Sequence, residues 1–96
     1  MTIEKNNKII ITVSGADKVG IVAKVATILS ELNVNIEDIK QTLMQGHFVM
    51  FMLGDITKSL TPFKEIKESL ITEGKKLEME VWVQRKDIFD NMHTIG

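Results

Sequence analysis

Apolar and polar positions along the chain repeat with a period of two in some stretches and with a helical period in others. Lys8 to Ser14 reads Lys-Ile-Ile-Ile-Thr-Val-Ser, a β-branched run closed by Gly15, which predicts a strand. Ala16-Asp17-Lys18-Val19-Gly20 is a polar turn. After it Ile21, Val25, Ile28, Leu29 and Leu32 recur at i, i+4, i+7, i+8 and i+11, one face of a helix ending near Asn33. Asn35 to Met44 reads as a second strand in which Ile36 and Ile39 break strict alternation, so a bulge is expected near Glu37-Asp38. Gln45-Gly46 makes a hairpin turn into a third strand, His47 to Leu53, and Gly54 to Ser59 reads as a loop. Thr61-Pro62 begins a second helix with proline at the first helical position, where its missing N–H costs nothing. Phe63, Ile66, Leu70 and Ile71 share one face of it, and Gly74 is expected to stop it as the residue just past the end. Leu77 to Gln84 is the last strand, with Leu77, Met79, Val81 and Val83 on one side and Glu78, Glu80, Trp82 and Gln84 on the other. The spacing of Ile88, Phe89, Met92 and Ile95 suits a short C-terminal helix within residues 86–96, and residues 1–7 read as a polar extension.

The order β-α-β-β-α-β contains two crossovers on one sheet, and right-handed connections put both helices on the same face. The first and third strands are apolar on both faces and belong inside the sheet; the second and fourth carry polar residues on one face and belong at its edges. This predicts an α+β, ferredoxin-like βαββαβ sandwich with an antiparallel sheet in the order 4-1-3-2, as a single domain over residues 1–96. Two helices cover only one face. Ile10, one apolar set of the third strand and Trp82 are then expected to form an apolar patch on the other face, covered either by the tail helix or by another chain.

Composition narrows the function. Hydrophobic residues make up 44% and charged residues 26%, the ordinary balance of a soluble globular domain. The formal net charge is -1 with acids and bases mixed, and Arg85 is the only arginine, which argues against a nucleic-acid partner. With no cysteine there is no disulfide, thiolate metal site or cysteine nucleophile. The polar start and the absence of a long apolar run predict no leader, no membrane partner and a cytoplasmic location. His47 and His93, the two histidines, stand beside a hairpin turn and in the tail with no evident nucleophile or carboxylate beside them, so no catalytic residue, metal or cofactor is expected. An acylphosphatase of this topology would need an arginine in the loop after the first strand, where this chain has Gly15-Ala-Asp-Lys-Val-Gly20.

The segment from Ile11 to Ile39 resembles the signature half of an ACT domain, in particular Asp17-Lys-Val-Gly20-Ile21 after the first strand and Asn35-Ile36, then Ile39 and Gln41, in the second. The rest of the chain from Lys8, including Ile88-Phe89-Asp90-Asn91-Met92, is similar to small stand-alone ACT proteins and to the ACT modules of the glycine cleavage system repressor. The resemblance implies a non-catalytic regulatory module, a homodimer or higher homo-oligomer that binds an amino acid at or near the subunit interface and modulates metabolism or a regulatory protein partner. The residues implied are Asp17, Lys18, Val19, Gly20, Ile21, Asn35 and Gln41. A helix N-terminus suits a carboxylate, Gly20 permits close approach, Asp17 accepts from an ammonium, and Asn35 and Gln41 offer a donor and an acceptor each. Each also has a plainer role: Asp17 as a helix cap, Gly20 in tight helix–strand packing, Asn35 in a turn, Gln41 as a solvated edge residue. The alternative is a structural or protein-interaction module with no small ligand, its methionines (Met44, Met50, Met52, Met79 and Met92) lining a partner surface.

Overall fold

A computed structural model describes residues 7–92. The elements are β1 (Lys8–Ala16), α1 (Ile21–Glu31), β2 (Asn35–Met44), β3 (His47–Asp55), α2 (Phe63–Lys76), β4 (Glu80–Arg85) and α3 (Lys86–Met92). All neighbouring strands are antiparallel in the order β2-β3-β1-β4, the expected arrangement read from the other edge. β1 and β3 lie inside because both of their faces carry apolar residues. Ile9, Ile11 and Val13 of β1 and Phe48, Met50 and Met52 of β3 are buried with Ile21, Val25, Ile28 and Leu29 of α1 and Ile66 and Leu70 of α2. Of the five methionines that the interaction-module alternative would set on a partner surface, Met50, Met52 and Met79 are core. Met44 is exposed.

The expected bulge is present as a register shift between Ile36 and Asp38. Gln45 and Gly46 both have positive φ, 51° and 84°, as a tight hairpin turn of matching twist requires.

Several boundaries differ from the expectation. β1 runs through Gly15 to Ala16 and β3 runs to Asp55, because their pairing continues to Ala16↔His47 and Lys8↔Asp55. Pro62 is the cap of α2, extended at φ -62° and ψ 152°, so the helix begins at Phe63, one residue later than predicted. Gly74 does not end α2. It is buried inside the helix at its closest approach to β4, where a Cβ would stand 2.3 Å from Val81 Cγ2. The helix instead ends on Glu78 in the left-handed region (φ 61°), with Glu78 N–H donating to the Lys75 carbonyl and Met79 N–H to that of Gly74. Asn33 (φ 60°) ends α1 in the same way, with Asn33 donating to Ser30 and Val34 to Leu29. Both are Schellman ends, and the αL residue of each spares two helix-end carbonyls from being orphaned. β4 accordingly starts at Glu80 rather than Leu77. The predicted tail helix is α3, and its expected residues His93 and Ile95 lie outside the described residues.

The face away from α1 and α2 carries Ile10, Val49, Leu53, Phe51 and Trp82, as the strand order requires. Phe51 and Trp82 keep 43% and 50% of their surface exposed. α3 packs beside β1 and β4 and leaves these two rings open. β2 is exposed along nearly its whole length on both faces, including Ile39 and Leu43 on the helix side.

Candidate functional site

The turn Asp17–Gly20 leads from the end of β1 into α1. Gly20 occupies the cap position at φ +86°, a conformation that suits glycine, and its carbonyl accepts the first helical bond from Lys24 N–H at 2.9 Å. No side chain caps this helix start and its first turn holds no acid, so Asp17 does not act as the cap. A Cβ at Gly20 would meet nothing within 4 Å, which removes tight packing as the reason for this glycine. The N–H groups of the first turn and the positive end of the helix dipole are left facing outward. Val19 is fully exposed at the tip, while Ile21 is buried and anchors the helix to the core.

Two contacts hold the turn in place. Asp17 N–H donates to the Gly46 carbonyl of the β2–β3 hairpin at 3.1 Å. Lys18 Nζ donates to Glu78 Oε1 at 2.8 Å, tying the turn to the left-handed end of α2. The Lys18 ammonium is also what draws the Glu78 carboxyl below the usual glutamate range. Lys18 is thus committed to Glu78, a partner sixty positions away that no local pattern in the chain announces.

Asn35 and Gln41 do not join the turn within one chain. Asn35 pairs with Asp55 at the foot of the sheet, whereas the turn lies beyond Ala16↔His47 at its head. Eight residues of strand separate these levels, about 26 Å at 3.3 Å per residue. β2 runs parallel to β1 two strands away, so its start lies at the end opposite the turn. Gln41 sits at mid-strand opposite Met50, exposed on the helix side. The foot has its own polar cluster. Lys8 Nζ donates to Glu37 Oε2 at 2.6 Å and to Asp55 Oδ2 at 3.1 Å, and Thr57 donates its backbone N–H and hydroxyl to Asp55 Oδ1. The Thr57 bonds, with Lys8 second, lower the Asp55 carboxyl to about 2. A groove beside it, lined by Asn33, Asn35, Thr57 and Lys58 and by the apolar Ala26, Val34 and Ile36, includes Asp55 itself.

One contact was not foreseen from the chain. His47 Nε2 lies 3.0 Å from Ser14 Oγ on the outer sheet face, so this histidine does have a hydroxyl neighbour. Among the described residues no carboxylate holds its other ring nitrogen, the group that would orient it as a base. The described residues hold no cluster of three or more metal-binding side chains, and no helix among them is long and apolar enough to cross a membrane.

A family model described as the ACT domain matches residues 7–84, which span all four paired strands, the turn and both covering helices. This chain belongs to the ACT-domain family. The ACT domain here is 44% identical over 86 residues to a UPF0237 protein of Listeria innocua, covering 90% of this chain and 97% of that one. The solved structure of an ACT domain protein from Streptococcus pneumoniae matches with a TM-score of 0.75 and 32% identity over 93% of this chain and 97% of that one. A putative glycine cleavage system transcriptional repressor matches with a TM-score of 0.70 and 22% identity, over 81% of this chain and 44% of that one; at that identity the likeness is one of fold. These matches identify the ACT domain as a regulatory type of module.

Proposed function

We propose that this ACT domain is a cytoplasmic, non-catalytic sensor that binds a small zwitterion, an amino acid, at the Asp17–Ile21 turn of a homodimer. The carrying observation is the uncapped, acid-free start of α1 on a left-handed Gly20, beside the exposed Asp17 carboxylate. Outward N–H groups suit the ligand carboxylate, Asp17 suits its ammonium, and the exposed Val19 is at hand to cover an apolar side chain.

The dimer of this reading forms along β2, an unpaired sheet edge ten residues long. An antiparallel pairing of two β2 strands about Ile39 sets Asp38 against Lys40 of the partner subunit, twice, on one face. On the other face it sets Ile39 against Ile39 of the partner subunit. The same two-fold carries Asn35 of the partner subunit toward the Leu43 end of β2, next to the hairpin that holds Asp17. The seven residues then stand around one interface, although one chain separates them. A ligand bridging it favours one dimer arrangement over another, which is how occupancy is passed to metabolism or to a partner protein.

Thermal unfolding of the protein with each common amino acid at millimolar concentration tests this. A ligand at ten times its Kd adds about 1.4 kcal/mol, a rise of roughly 5–10 °C for a domain of this size. Asp17→Ala should abolish that rise and leave the unliganded midpoint in place, since Asp17 caps nothing. If no amino acid raises the midpoint, the interaction-module reading takes its place.

A further inference from the structure

We infer that the groove at the foot of the sheet is the side-chain pocket of the ligand, and that Lys58 in it selects an acidic amino acid, a conclusion that rests on the turn Asp17–Ile21 binding amino acids as proposed above. The groove lies between the last turns of α1, the start of β2 and the loop after β3, with Ala26 and Ile36 on its apolar wall. In the β2-paired dimer, the two-fold that carries Asn35 of the partner subunit toward the turn brings this groove with it.

Hydrogen bonding decides the sign of the guest. The main acceptors around the groove are already engaged. Asp55 Oδ1 accepts both the N–H and the hydroxyl of Thr57, and Asp55 Oδ2 accepts from Lys8 Nζ at 3.1 Å. At the end of α1 the carbonyls of Ile28, Leu29 and Ser30 accept from the N–H groups of Leu32, Val34 and Asn33, and the Leu32 carbonyl accepts the Ser59 hydroxyl at 2.6 Å. A ligand ammonium here would have to compete with Lys8 for Asp55. Four lining side chains, those of Ser30, Asn33, Asn35 and Lys58, have no partner within the described residues, and of these only Lys58 is charged.

A carboxylate fits that set. The Lys58 ammonium supplies the charge, while the two amides and the Ser30 hydroxyl supply neutral donors. One lysine, in a groove with no arginine, matches a single negative charge better than a phosphate dianion. Ala26 and Ile36 suit the methylenes between the α-carbon and the carboxylate of an acidic side chain. The α-ammonium and α-carboxylate stay at Asp17 and the start of α1. The turn thus recognises an amino acid, and Lys58 chooses among them. A side-chain amide in the same place gains no charge-assisted bond and leaves Lys58 to water.

Titration calorimetry of the unmutated protein with L-glutamate, L-aspartate, L-glutamine and L-asparagine tests this. At least one acid should bind about ten-fold or more tightly than its amide, the effect of one charge-assisted hydrogen bond, and salt should narrow the gap. Lys58→Gln should close the gap by weakening the acid alone, and Lys58→Arg should keep it. Lys64→Gln removes an equal charge from the exposed side of α2 and should leave the gap in place. Acids and amides that bind equally, or a gap that survives Lys58→Gln, would overturn the inference and leave the turn as an amino-acid site. Binding of none of the common amino acids would remove the turn as a site and this pocket with it. The comparison of acid with amide needs no variant to fold.

Discussion

Replacing Gly74 with alanine sets two effects of opposite sign against each other. In an exposed helix interior the change would stabilise by about 0.8–1.0 kcal/mol, because glycine has more backbone freedom to lose. Here the new Cβ would lie 2.3 Å from Val81 Cγ2, 3.3 Å from Val81 Cβ and 3.4 Å from the Met79 carbonyl oxygen. Carbon–carbon contacts are comfortable only at about 3.5–4.0 Å, so α2 and β4 would have to part by about 1 Å. Val81 has little room to yield. Its side chain is β-branched with few rotamers, and its backbone is pinned in the β1–β4 ladder opposite Val13. Overpacking of this kind costs about 1–3 kcal/mol, which outweighs the gain in helix propensity. Gly74→Ala is therefore expected to destabilise by about 1–2 kcal/mol, lowering the midpoint by roughly 5–15 °C. Urea denaturation followed by circular dichroism measures it. Val81→Ala removes the Cγ2 methyl that the new Cβ meets most closely, so in the double variant the two losses should fall short of their sum by about 1 kcal/mol or more. An unchanged or more stable Gly74→Ala, or strict additivity in the pair, refutes the packing account.

Two further predictions concern the foot of the sheet and the end of α2. Asp55 titrates at about 2 in the folded chain against an ordinary 3.8. A depressed folded value means its stabilisation is complete above the unfolded value and is lost as pH falls through the window from about 4 to about 2. Asp55→Asn should flatten the acid limb of stability against pH, and an NMR titration of Asp55 with a midpoint near 3.8 would contradict the role given to Thr57 and Lys8. Glu78→Gly should raise the unfolding midpoint by a few degrees. Glycine occupies φ 61° without strain, and the exposed ion pair with Lys18 that is given up contributes little. A lower midpoint would mean that the Lys18 tie matters more to the fold than backbone strain at Glu78.

What the chain determined by itself was its elements and their order. Apolar spacing placed the helix that begins at Ile21 and the helix over Phe63, Ile66 and Leu70. The double-sided apolar character of Ile9–Val13 and Phe48–Leu53 put those strands at the centre of the sheet, and the broken alternation at Ile36 and Ile39 marked the bulge. These are local signals, because burial on one face or two imposes its period directly on neighbouring residues. The turn Asp17–Ile21 was legible for the same reason. Only the tertiary structure decided how far that turn lies from Asn35, that Lys18 is held by Glu78, that Ser14 meets His47, and that Gly74 is a packing position rather than a stop. Each of those depends on distances between elements far apart in the chain. Such distances follow from strand direction, register and the gap between helix and sheet, none of which leaves a periodic trace in the residues concerned.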